Sequence, residues 1–173
     1  MASAPEAERR VAMIAGAARG LGKAQALALA RAGNIALGLT AHADLSGVAA
    51  TAETCRSLGA EVVVVETDVS NGAQVAAAVA RIVRDLGSLD ILVNNAGRLG
   101  TSAKIVDMTE EVWREMIDSH LTGSFLAMKH AAPHMCARKW GRIVNLSSIH
   151  GRIGGRATLA HYGAAKAGVI ALS

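Results

Sequence analysis

The sequence predicts an α/β fold in three layers, a doubly wound parallel sheet with helices on both faces. Three observations predict it. Short apolar runs alternate with longer amphipathic ones along the chain, the pattern of successive βα units. The short runs carry few internal charges, as strands do when both faces are covered. A glycine-rich turn, G-A-A-R-G-L-G, joins the first apolar run to the first amphipathic one.

Taken in order, the first strand is expected at 10–15 in R-V-A-M-I-A, and the helix after the glycine turn at 21–32. A second strand at 35–39 and a helix at 45–58 follow, then a strand at 61–66. The helix at 72–86 shows its period most plainly, with Val75, Val79, Ile82, Val83 and Leu86 on one stripe. A strand at 89–93 leads to one long helix at 110–138, and a strand at 142–146 to a last helix at 160–172. That helix pattern stops at Ser173 without capping residue, turn or polar tail. The fifth strand becomes a sheet edge, although R-I-V-N-L has little edge protection. Both features predict one domain over 1–173 that is incomplete at its C-terminal end.

Composition narrows the class. At 173 residues and 51% hydrophobic the chain can bury a real core. Two Trp, one Tyr and one Phe are its only large aromatics, so Ala, Val, Leu and Ile must build that core. A charged fraction of 18% is too low for a disordered chain. The net charge is +4, with Arg138, Lys139, Arg142, Arg152 and Arg156 close in sequence. This cluster reads first as a solvated face and second as a field for an anionic cofactor or acidic carrier. No basic stripe is interleaved with aromatics, so nucleic acid is not an expected partner. Cys55 and Cys136 lack metal-ligand or redox spacing and read as free thiols, with no metal expected. Residues 1–10 lack the apolar core of a leader, and no apolar run approaches a membrane span. A reducing, cytoplasmic setting is the expectation.

The chemistry lies in a few short motifs. Glycines between strand and helix let the backbone approach a pyrophosphate, whose charge then meets a helix N-terminus. At the other end, Tyr162 precedes Lys166 by four residues in Y-G-A-A-K, so a helix places both on one face. Tyrosine is a poor acid or base at neutral pH unless a neighbouring ammonium favours its ionised form. A phosphate-cradling turn together with an activated phenol points to hydride transfer with a nicotinamide cofactor.

The spacing G-x-x-x-G-x-G resembles the short-chain dehydrogenase/reductase family, and further matches follow in order. They are Asp68 in T-D-V-S, N-N-A-G at 94–97, Ser148 in N-L-S-S, and Tyr162 and Lys166. In detail the chain is most similar to members acting on carbonyls and secondary alcohols, such as the 3-oxoacyl-carrier-protein reductases. The resemblance implies a Rossmann-type dinucleotide-binding domain that lacks its last strands and substrate loop. It implies that Gly16, Gly20 and Gly22, with Arg19 and Leu21 between them, shape the pyrophosphate turn. Asp68 would bond the adenine amino group, Val69 line the ring, and Asn95, Ala96 and Gly97 pass close to the ribose. Ser148 would hold the substrate oxygen beside Tyr162, the proton donor or acceptor. Lys166 would tune Tyr162 and bond the nicotinamide ribose. A homo-oligomer, dimer or tetramer, is implied as well.

One position departs from the family pattern: His120 stands in H-L-T-G where members usually carry an asparagine that holds a relay water. An imidazole also donates and accepts, so it can preserve a relay with altered pH dependence or break the water site. At the end of the second strand, Leu39 or Thr40 replaces the carboxylate of NAD-preferring relatives, and Arg19 can pair with a 2′-phosphate. The expected cofactor is therefore NADP(H) in preference to NAD(H), and the substrate a small carbonyl or alcohol, with a carrier-bound acyl group as one alternative. Two other readings stay open: a dinucleotide-binding sensor without chemistry, and a truncated product with no role of its own.

Overall fold

A computed structural model describes residues 9–173. The reading of residues 1–10 as lacking a leader falls almost wholly outside them. Five strands, β1 (Arg10–Ala15), β2 (Ile35–Ala41), β3 (Val62–Glu66), β4 (Ile91–Asn94) and β5 (Arg142–Asn145), form one sheet in the order β3-β2-β1-β4-β5. Every pairing is parallel. From central β1 the chain winds outward through β2 and β3, then restarts on the other side with β4 and β5.

The period-two alternation of β1 divides the core. Val11 and Met13 face the side covered by α3 (Gly72–Leu86) and α5 (Gly123–Ala137), with Val75, Val79, Ile82 and Leu92. Ala12 and Ile14 face the side covered by α1 (Gly20–Ala32) and α2 (Leu45–Ser57), with Ala26, Leu37, Leu39 and Val48. Both faces of the central strand are thus buried, which is why it reads as a continuous apolar run. The α3 stripe seen in the sequence is buried as expected. Gly38 lets it approach: a Cβ there would lie 2.5 Å from the Ile82 Cδ1.

Buried Asp90 secures the opposite end of the sheet. It accepts from the Val11 N–H at 2.9 Å, the Ser88 hydroxyl at 2.7 Å and the Arg138 Nε at 3.0 Å. Arg142 lies over the Trp140 ring, so part of the basic cluster is structural rather than a free field. Among the described strands β5 stands at one end of the sheet, and its Val144 is 47% exposed.

Two expectations need correction. The single helix at 110–138 is broken: α4 (Glu110–Ile117) passes into a π-helical turn at Asp118–Thr122 before α5. Such turns insert one extra residue, often at functional sites. The second strand runs two residues further than expected, to Ala41. A short α6 (His150–Ile153), absent from the sequence reading, precedes α7 (Ala160–Leu172).

Candidate functional site

Because β2 and β4 flank β1 and their connections cover opposite faces, a crevice opens at the carboxyl ends of the central strands. It is a cleft of about 880 Å³. The glycine turn forms its floor. Gly16 has φ +75, and a Cβ there would meet the Ala96 Cα at 2.9 Å. The N–H groups of Gly16 and Ala17 both donate to the Thr40 carbonyl, at 2.9 and 3.0 Å. Asn95 binds the turn to β4 by donating from Nδ2 to the carbonyls of Ala15 and Gly16, at 3.1 and 3.0 Å. Arg19, Gly20 and Leu21 line the cleft. Gly22 instead packs beneath it, where a Cβ would lie 2.1 Å from the Gly16 carbonyl oxygen.

The start of α1 differs from the next three helices. Side chains of Asp44, Asn71 and Thr109 cap α2, α3 and α4, whereas α1 has no side-chain cap. Its first-turn N–H groups and the positive end of its dipole are therefore left for an anion at the cleft. This opening, with the space that the glycines leave, fits the pyrophosphate of a dinucleotide.

Past the strand ends, Asp68 and Val69 also line the cleft. The Ser70 hydroxyl donates to the Asp68 carboxylate at 2.7 Å and the Ser70 N–H at 2.9 Å. With His42 nearby they hold that carboxyl below its ordinary range, against a smaller opposing effect of burial. The β2 expectation shifts here. Leu39 and Thr40 are fully buried, and Ala41, His42, Ala43 and Asp44 reach the cleft instead. The Thr40 hydroxyl is buried without a partner.

Tyr162 and Lys166 enter from α7 on one face, as their spacing requires, with Nζ 6.0 Å from the phenol ring centroid. The ammonium bonds the Leu146 carbonyl. Burial pulls the Lys166 pKa down to about 8. Ser148, expected beside Tyr162, is not part of the cleft wall; its hydroxyl accepts the His150 N–H at 3.2 Å. The Tyr162 ring stands edge-on to two imidazoles, His120 at 5.5 Å and His150 at 5.8 Å.

The structure thus gathers Gly16, Arg19, Gly20, Leu21, Asp68, Val69, Asn95, Ala96, Gly97, Tyr162 and Lys166 around one cleft. Sequence reading missed His42, and the Arg98–Glu115 ion pair at the rim. The continued T-A after Leu39 could have signalled the longer β2 that presents His42. No local pattern announces a pair 17 residues apart. Among the described residues no cluster could hold a metal, and no helix is long and apolar enough to cross a membrane.

Comparison with known proteins agrees with this geometry. The family model of the short chain dehydrogenases matches residues 10–173. The chain is 41% identical over 165 residues to a cis-4-hydroxycyclohexanecarboxylate dehydrogenase of Sinomonas cyclohexanicum, covering 95% of the chain and 64% of that protein. It is 38% identical over 161 residues to a 3-oxoacyl-[acyl-carrier-protein] reductase of Synechocystis, covering 93% and 64%. Among solved structures, NAD+-bound xylitol dehydrogenase superposes with a TM-score of 0.90 at 32% identity, over 95% of this chain and 62% of that one. Carveol dehydrogenase from Mycobacterium avium in complex with NAD gives 0.89 at 34% identity, over 96% and 64%. The chain thus spans a little under two thirds of the length of these relatives. By sequence and by fold, it belongs to the short-chain dehydrogenase family.

Proposed function

We propose that this chain carries the dinucleotide site and the acid–base tyrosine of an oxidoreductase that moves a hydride between NADP(H) and a carbonyl or secondary alcohol. One observation carries the reading: the uncapped α1 terminus and the Tyr162–Lys166 pair open into the same cleft. A nicotinamide cofactor, when held in the cleft, would supply or take the hydride at the substrate carbon. Tyr162 then gives its hydroxyl proton to the carbonyl oxygen in reduction, or accepts the alcohol proton in oxidation. Ser148, whose hydroxyl accepts the His150 N–H at 3.2 Å, keeps its own proton to donate to the substrate oxygen. Lys166 holds the nicotinamide ribose and keeps positive charge beside the phenol. Asp68 and Val69 receive the adenine, and Asn95, Ala96 and Gly97 pass the ribose.

Arg19 supports NADP(H). The carboxylate nearest the end of β2, Asp44, has one oxygen committed to the Gly47 N–H at 2.9 Å, and His42 adds a second nitrogen donor. These groups suit a 2′-phosphate better than a free ribose diol. Relatives named for a hydroxy acid and a 3-oxoacyl group represent the two directions of one reaction class, alcohol oxidation and ketone reduction. An acyl group on an acidic carrier is one substrate within this class. Exposed Phe125 on α5 and Ile170 on α7 suit a homo-oligomeric contact. The free thiols of Cys55 and Cys136 suit a reducing cytoplasm.

A second reading, a dinucleotide binder without turnover, is favoured by one fact: Ser148 and Lys166 are both engaged with backbone groups rather than with Tyr162. Tyr162→Phe separates the two. For an enzyme, NADPH-dependent turnover falls by at least about 100-fold while cofactor affinity stays within about threefold. Turnover that survives the change would end the acid–base assignment.

A further inference from the structure

His120 is buried in the π-helical turn between α4 and α5, with only 3% of it exposed. Its ring lies against the loop that follows β4. A Cβ on Gly97 would meet the ring Cε1 at 2.1 Å, so only glycine permits this approach. Its Nε2 lies 2.7 Å from the Arg98 carbonyl oxygen and 3.2 Å from the Arg98 N–H. The two contacts need opposite tautomers, and we assign the proton by the shorter one, at the expense of the Arg98 N–H, which then has no acceptor on the ring. Nε2 therefore carries the proton and donates it to Arg98, which leaves Nδ1 as a bare acceptor, buried and without a partner. The opposite side of the ring meets Tyr162 edge-on, centroids 5.5 Å apart and planes at 86°. One side chain thus touches both the loop that passes the cofactor and the phenol that moves the proton.

Resting on the function proposed above, we infer that His120 is a positioning residue that ties the loop at 95–98 to Tyr162, so that the cofactor and the phenol are set by a common support. The tie needs the proton on Nε2, which the neutral and the charged ring both carry, and the surroundings favour the neutral ring. Burial holds His120 in that state, lowering its pKa to about 4 against the opposing Arg98 bond. Lys166 and His161, both on α7, add repulsion to the charged form. The other polar neighbours are accounted for. Asp118 on the same turn accepts from the Thr122 hydroxyl, Arg98 pairs with Glu115 at the rim, and His150 meets Tyr162 from the far side. The extra residue of the π-turn has a structural purpose on this view: it brings the imidazole inward to the loop.

Tyr162 is the only tyrosine in the chain, so ring-labelled tyrosine gives one NMR signal at the point of interest. His120→Phe keeps an aromatic ring beside Tyr162 but removes the donor to Arg98. His120→Gln restores a donor at the position of Nε2. The expected result is faster amide exchange over residues 96–99 in the Phe variant, with NADPH affinity lower by about tenfold, and recovery of both in the Gln variant. In the parent protein and in His150→Phe, the Tyr162 signal should begin to move as pH falls below about 5, and in His120→Gln this movement should vanish. A folded His120→Phe protein with unchanged loop exchange, or a Tyr162 signal that follows pH alike in parent and Gln variant, would overturn the proposal. If the parent binds no dinucleotide at all, the functional reading fails, whereas the exchange and NMR measurements still decide whether the tie exists.

Discussion

His120 and Lys166 are buried ionisable groups whose charges the fold resists, and each links the site to stability. A denatured histidine takes up a proton below its ordinary value of 6.5, whereas the native His120 stays neutral until about pH 4. The denatured chain therefore binds more protons between these values, and folding stability drops as pH falls from 6.5 to 4. The loss attributable to this residue approaches about 3 kcal/mol at the acid end. Urea unfolding of the parent and of His120→Gln across this range should show the two curves converging toward acid pH. Parallel curves would mean that His120 titrates normally. Lys166 follows the same logic at the other end: its ammonium is buried at a cost throughout the neutral range, as expected of a lysine kept for function rather than stability.

The elements explain what could be read from the sequence. Where one short segment sets its own geometry, the sequence placed most of its residues, with Gly22 and Ser148 the exceptions at the cleft wall. Gly16 and Gly20 of the glycine turn, then Asn95, Ala96 and Gly97, and the i, i+4 pair Tyr162–Lys166 reach the cleft where local spacing places them, while Gly22 packs beneath it. The α3 stripe likewise buries as its period requires. Features that depend on contacts between distant segments escaped. The π-turn needs Gly97 and Arg98 to receive His120, and D-S-H-L-T by itself looks like continuing helix. The cleft residues after β2 depend on pairing with β3 up to Ala41↔Glu66, which no reading of β2 alone supplies. Packing between elements also yields a test. The Ile82 side chain fills the space above Gly38 and is itself fully buried. Gly38→Ala should therefore cost about 1–3 kcal/mol by overpacking, read as a lower urea midpoint with unchanged slope. A neutral or stabilising change would show that α3 can move off the sheet.

In the whole molecule, the two ends of the sheet have separate tasks. The carboxyl end keeps open groups: the uncapped α1 terminus, the unpartnered Thr40 hydroxyl and the bare His120 nitrogen. The opposite end is closed by Asp90, which joins β1, β4 and the end of α5 through Val11, Ser88 and Arg138. Asp90→Ala leaves a buried N–H and an arginine without their shared acceptor and should cost about 3–5 kcal/mol. A loss below about 1 kcal/mol by chemical denaturation would show that water replaces the carboxylate. Thermal unfolding with NADPH or NADH tests whether the open end holds a dinucleotide. A ligand that binds only the folded chain at a hundred times its Kd adds about 2.7 kcal/mol, a rise of several degrees. A site that prefers NADP(H) gives a clear rise with NADPH and a smaller one with NADH. A larger rise with NADH would reverse the cofactor assignment, and no shift with either would contradict the dinucleotide site itself.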